Sequence, residues 1–409
     1  MHKWNRTLLM PAGFAAFLAG IFLPHAIGSI LLALFLVLVA GAANWKTDIK
    51  SFLKTRFFVI QACLWLLYLI SILWSDDKMK GLEEAFSKIP FLLVPLILAG
   101  KEQIIAAKAS AWTGILWLAS ILINLACLTN VFLHAENENL SSLLVYEGLA
   151  AFSGLQPIYL SLFCILGAIG WYNYAASKAF KPAVILLIPA FLYLMVMMLS
   201  SRMESIVFIG LILVVMWIRM PRHSIITQGI IPGLALLGIS FLVVTVNPTN
   251  RTRFKESVDF NTHYSEKTYG GTQLRIEKWK NTIKAWKKEP LLGSGAGDYM
   301  RDLQESYRQN NFDIGIKESY NSHNQYLQIL LTLGITGLLL WIGIFVEMFI
   351  EFRRSGHLPL LLCMLAVSLS VVTESMLERR VGLFLCLVLC NLFYLLSKAE
   401  RTKIPVIEN

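Results

Sequence analysis

The chain has 409 residues, 56% of them hydrophobic and 15% charged, with a formal net charge of +10. A soluble domain carries nearer 25% charged residues, so this composition excludes an ordinary soluble fold and points to a polytopic membrane protein. The positive balance is not a nucleic-acid signature, because much of it flanks apolar runs and no basic tail or nucleic-acid motif occurs.

At the N-terminus, Lys3 and Arg6 precede an apolar run as in a signal peptide. No small-x-small cleavage site follows and a second run begins at once, so a retained first helix is expected. Apolar runs near bilayer length lie at approximately 7–23, 27–43, 57–75, 85–99, 110–132, 157–174, 183–199, 205–218, 224–246, 325–350, 358–375 and 381–397. The expected fold is therefore all-α and polytopic, with about 12 transmembrane helices and a long periplasmic loop containing amphipathic helical structure. It divides into 1–246 (helices 1–9), 247–322 (the loop) and 323–409 (helices 10–12 and a cytoplasmic tail). Lysine and arginine gather beside alternate runs, at Lys46, Lys50, Lys54 and Arg56, at Arg219 and Arg222, at Arg353 and Arg354, and at Lys398, Arg401 and Lys403. The positive-inside rule then puts both termini in the cytoplasm and the loop outside. All six cysteines (Cys63, Cys127, Cys164, Cys363, Cys386, Cys390) fall in expected spans. Cys386 and Cys390 share a helix face but have no further ligands near them in sequence, so no metal and no disulfide is expected.

In "LSSRMES", Arg202 occupies a short outside connection, against the positive-inside tendency. Either it snorkels to headgroups or it is held for a fixed anion, which guanidinium grips bidentately. The loop opens with "NPTNRTRF" and continues through "TYGGTQ", which reads as irregular. Next, Ile276, Trp279, Ile283 and Trp286 form one apolar stripe on a helix otherwise covered by Arg275, Lys278, Lys280, Lys284, Lys287 and Lys288. Such a basic amphipathic helix lies on a membrane surface or packs on its own loop. Glu289-Pro290 stops it. "LLGSGAG" lacks the preceding strand and the lysine of a nucleotide loop, and reads as a turn.

In "SYNSHNQYLQILLTLGITGLLLW", Ser322 followed by Gln325 reads as a capping box, which puts His323 in the first turn of a helix long enough to span the bilayer. The positive helix end would keep an imidazole there neutral and draw an anionic ligand. A lone histidine at a helix start is as often structural; its company with Arg202 and Arg275 favours a chemical role. In "VTESMLERR", Glu374 stands near the outer end of a span, and an internal pair with Arg380 is the expectation.

"LSSR" between two spans, an arginine before a tryptophan-containing loop helix, "PLLGSGAG", "SHNQYLQILLTLGITGL" and the closing "ESMLERRVGLF" together resemble the bacterial O-antigen ligase and O-antigen polymerase superfamily over roughly 185–395. The resemblance implies transfer of a glycan from a polyprenyl (undecaprenyl) diphosphate carrier at the periplasmic face of the bacterial inner membrane. In the favoured ligase branch the acceptor is the lipid A core oligosaccharide. His323 matches the family's essential histidine, and Arg202 and Arg275 match its essential arginines as diphosphate ligands. Asn324, Glu374 and Arg380 are supporting candidates.

The chemistry is consistent from below. Two arginines can stabilise a departing diphosphate without a metal or other cofactor, and a neutral His323 can take the acceptor proton. A single displacement implies inversion. The rival readings keep the donor and change the acceptor, as in a Wzy-type polymerase or a protein O-oligosaccharyltransferase. A lipid-linked sugar transporter is a different class, but it would place its ionisable residues near the midplane. The expected partners are the lipid-linked donor, its acceptor and membrane lipids, with no nucleic acid.

Overall fold

A computed structural model describes residues 3–23, 25–41, 45–135, 139–176, 182–219, 231–248, 250–252 and 272–401, with Lys178, Phe180 and Lys255. These residues form an all-helical bundle. Its centre is formed by Pro157–Ala176 and Arg380–Arg401, buried over 72% and 89% of their apolar windows.

The expectation of about twelve spans is corrected. Among the described residues only four helices are long and apolar enough to cross a membrane: Ala109–His134, Pro157–Ala176, Gln325–Ser355 and Arg380–Arg401. A fifth is reached if Lys46–Lys54 and Arg56–Ser71, bent by 87° at Thr55, count as one span. Met10–Gly20, Ala26–Ala40, Ile185–Met198 and Leu358–Ser370 are apolar but too short for that test. A helix of about 16 residues reaches roughly 24 Å, short of the ~30 Å hydrocarbon core. The run at 85–99 breaks at Lys88, which is buried and donates to Leu377 O at 2.9 Å and to Glu378 Oε2 at 3.1 Å; the helix after it is only Pro90–Leu98. Apolar content measures what a run can bury; it does not reveal where the backbone turns.

The loop has a small core of its own. Helices Thr272–Trp286, Tyr299–Gln309 and Asp313–Lys317 enclose Leu274, Ala285, Leu303, Tyr307 and Phe312, together with Leu331 of the long helix. The "TYGGTQ" stretch lies outside the described residues up to Gly271.

"LLGSGAG" does turn, and the turn has a structural task. It docks on the Gln325–Ser355 helix where that helix breaks at Gly334, whose φ is 64° and ψ −163°. Ser294 N and Gly295 N donate to Leu331 O and Thr332 O, both at 2.9 Å, and Ile335 N donates back to Pro290 O at 3.1 Å. The loop thus satisfies the backbone groups that the break frees, as a membrane helix requires. A Cβ at Gly334 would lie 2.2 Å from Leu291 O, so the break depends on glycine.

Candidate active site

The helix containing the histidine motif begins two residues later than the capping-box reading placed it. Asn324 is the N-cap, its side chain accepting from Leu327 N at 3.1 Å, and the helix starts at Gln325. His323 therefore lies outside the first turn, in a left-handed conformation with φ 46°. Its backbone N–H donates to Asn321 Oδ1 at 3.0 Å. Ser322 looks inward instead, donating to Gln328 Oε1 at 2.8 Å.

This knot is clamped to the segment after Leu358–Ser370. Gln325 N donates to Val371 O at 2.9 Å. Asn324 N donates to Ser375 Oγ at 3.1 Å, and Leu377 N to Gln325 Oε1 at 2.8 Å. Asn324 is thus a supporting residue in a structural sense: it fixes the backbone on either side of His323.

The clamp brings Glu374 to His323, whose Nδ1–H donates to Oε2 at 3.1 Å. The expectation of a Glu374–Arg380 pair gives way to this contact. Arg380 reaches instead to Leu23 O at 3.0 Å, at the end of the first helix. Burial alone pushes the Glu374 carboxyl up, but the hydrogen bond and charge of His323, with Arg275 and Lys278, outweigh it and hold Glu374 below its ordinary range. An oriented imidazole backed by an ionised carboxylate leaves Nε2 as the nitrogen available for proton transfer.

Arg275 and Lys278 arrive from Thr272–Trp286. The face this helix buries is not its apolar stripe. Leu274, Lys278, Asn281, Thr282 and Ala285 turn inward, while Ile283 is exposed and Ile276, Trp279 and Trp286 are half-buried. With Leu291 and Leu292, also exposed, these leave an apolar edge of the kind an interfacial helix presents to lipid.

Lys278, read from sequence as one of several surface lysines, is 4% exposed. Its Nζ lies 3.6 Å from the centre of the Tyr320 ring, and that ring meets His323 edge-on at 5.8 Å between centroids. Burial first, and then the charge of Arg275, depress the Lys278 ammonium from 10.5 to about 7, against an opposing pull from Glu374. The four-residue spacing Leu274–Lys278–Thr282 marks this face as a single stripe, but a lysine in it gives no sign of burial until a partner is present.

Arg202 opens the helix Arg202–Arg219. Two residues on, Glu204 is buried and accepts from Ser370 Oγ at 2.7 Å. Ser370 immediately precedes Val371, the residue that receives Gln325 N. Arg202 is thereby tethered to the end of the bundle that carries His323 and Glu374. Sequence reading passed over Glu204 because it borders an apolar run.

A histidine–carboxylate pair with Arg275 and Lys278 beside it thus stands at one end of the apolar helical bundle of a membrane-associated protein. Residues 182–342 match the family model described as O-antigen ligase. The matched stretch contains Arg202, Arg275, Lys278 and His323. A comparison with curated proteins finds no significant match.

Proposed function

We propose that the protein is an O-antigen ligase: a metal-independent, inverting transferase that moves a glycan from a polyprenyl diphosphate carrier to the lipid A core oligosaccharide at the periplasmic face of the bacterial inner membrane. The observation that carries this reading is the 3.1 Å contact of His323 with Glu374, in a cluster that includes Arg275 and Lys278.

His323 Nε2 takes the proton of the acceptor hydroxyl as that oxygen bonds to the anomeric carbon. The bond from that carbon to the diphosphate oxygen breaks, and its electron pair leaves on the polyprenyl diphosphate. Glu374 holds the imidazole in orientation and stabilises the imidazolium. Arg202 and Arg275 hold the diphosphate and offset its growing charge. The exposed apolar edge at Ile283, Leu291 and Leu292 suits a site whose two substrates are delivered by the membrane.

The test is direct. Purified protein is given a polyprenyl diphosphate glycan with lipid A core, a growing glycan or a serine-containing peptide as acceptor, with and without chelator. Transfer to lipid A core alone, unaffected by chelator, is the expected result. Transfer only to glycan or only to peptide would replace the ligase reading with polymerase or protein glycosylation, and no transfer to any acceptor would remove it.

A further inference from the structure

At the far end of the Gln325–Ser355 helix from His323 lies a second polar feature that the transfer reaction does not use. It is a partly open cavity of about 570 Å³, walled by Trp45–Lys54, the start of Arg56–Ser71 and the last turns of Gln325–Ser355 and Arg380–Arg401. That volume falls within the ~300–1,000 Å³ of ordinary ligand sites.

Its charge is one-sided. Arg401 is matched by buried Glu351 at 2.8 Å, and Lys398 by Glu102 at 2.5 Å. Lys50, Lys54, Arg56 and Arg354 also line it, all exposed, against the single further carboxylate Glu347. Four cations against one anion leave the cavity in need of negative charge. The positive end of the Arg56–Ser71 helix dipole opens on the same space, and its N-cap Thr55 supplies no side-chain cap.

The 87° bend at Thr55 places the cavity relative to lipid. Arg56–Ser71 runs into the apolar bundle, so Trp45–Lys54 turns across the bundle's end. That short helix exposes Ile49 at 47% and Leu53 at 65%, each next in sequence to a cavity-lining lysine. Its inner side is anchored by the buried ion pair of Asp48 with Lys101 and by Phe52 stacked on Phe58. Apolar groups at acyl depth beside lysines at headgroup depth are the arrangement of an interfacial helix, and basic pockets between spans at a membrane surface hold anionic headgroups.

We propose that this cavity binds a phosphate-bearing anion, and its position favours the headgroup of an anionic phospholipid as the source. The site is separate from His323 and does not depend on the transferase reading.

The experiment uses the full chain in detergent, followed by native mass spectrometry during titration with phosphatidylglycerol, phosphatidylcholine or inorganic phosphate. Phosphatidylglycerol should be retained in preference to phosphatidylcholine. The Lys54→Gln/Arg354→Gln double variant should weaken that retention on the order of 30-fold, since each cation near a headgroup contributes roughly a factor of five. The Lys54→Arg/Arg354→Lys variant keeps both charges, and should bind as the native chain does. Competition by inorganic phosphate alone would keep the site and assign it to a soluble anion. Equal retention of the two lipids with no phosphate binding, or unchanged retention in the Gln variant, would overturn the proposal. A thermal unfolding scan confirms that each variant is folded before it is scored.

Discussion

His323 Nδ1 lies 3.1 Å from Glu374 Oε2, although 51 positions separate the two residues along the chain. The contact joins the loop entering the Gln325–Ser355 helix to the segment leaving Leu358–Ser370. The backbone clamp through Val371 and Ser375 holds both halves still.

If this pair is the proton acceptor, Glu374→Gln keeps a hydrogen-bonding partner for the ring and removes the charge. Single-turnover transfer should fall by up to about 10⁴-fold, the cost of replacing the carboxylate that orients a catalytic histidine by its amide. Donor binding should be nearly unchanged. A variant with native rates would reduce Glu374 to a packing role.

His323→Gln should lose transfer by roughly 10²–10⁴-fold, the typical contribution of a general base. Filter binding of a labelled donor measures the other half of the claim. Retained binding with lost transfer is expected, and substantial transfer by the Gln variant would make His323 a positioning residue.

Arg202→Lys and Arg275→Lys each keep the charge but lose the planar fork. Each should lower transfer about 10²-fold, as removal of one oriented transition-state donor does. Normal transfer in both would return the two arginines to structural duty.

Buried Lys278 gives a stability prediction with a definite sign. Its folded pKa, about 7, lies below the ordinary value of 10.5, so between these the unfolded chain binds more protons than the folded one. Stability therefore rises as pH rises from about 7 toward 10.5. Below 7 the full cost of burying the charge is present. Lys278→Met should flatten this rise in detergent melting curves taken from pH 6.5 to 9. An unchanged slope would show that Lys278 is not the group responsible.

Gly334→Ala tests the docking of the glycine-rich turn. At φ 64°, with Leu291 O 2.2 Å from the new Cβ, the alanine is both strained and crowded. A loss of roughly 1–3 kcal/mol is expected from backbone strain alone. Thermal melting of the purified variant checks it.

Orientation is tested by one cysteine on the loop and one in the last turn of the Gln325–Ser355 helix. Lys288→Cys should react with an impermeant thiol reagent in intact cells, and Arg353→Cys only after the membrane is opened. Native background is small, because five of the six cysteines are buried and Cys63 is half-buried. The reverse pattern would invert the proposed topology.

By itself the sequence determined that this chain is helical and associates with a membrane, because apolar content and 3.6-residue spacing are local properties. It also drew attention to Arg202 and His323, since a cation or imidazole beside an apolar run is conspicuous without coordinates, whereas Arg275, among other surface cations, was singled out by the family resemblance. Other features required the tertiary structure. Glu374 looked toward Arg380, six residues away, yet is held by His323, because sequence proximity does not show which backbone segments are clamped together. The Thr272–Trp286 helix buries the face of Lys278, not its tryptophan stripe, because a helix surrounded partly by lipid has two apolar partners to choose between. The number of spans was overcounted for a related reason. Hydropathy sums what a run can bury, whereas a bend at Thr55 or a buried lysine such as Lys88 sets how far one straight helix reaches, and both are fixed by groups distant in the chain.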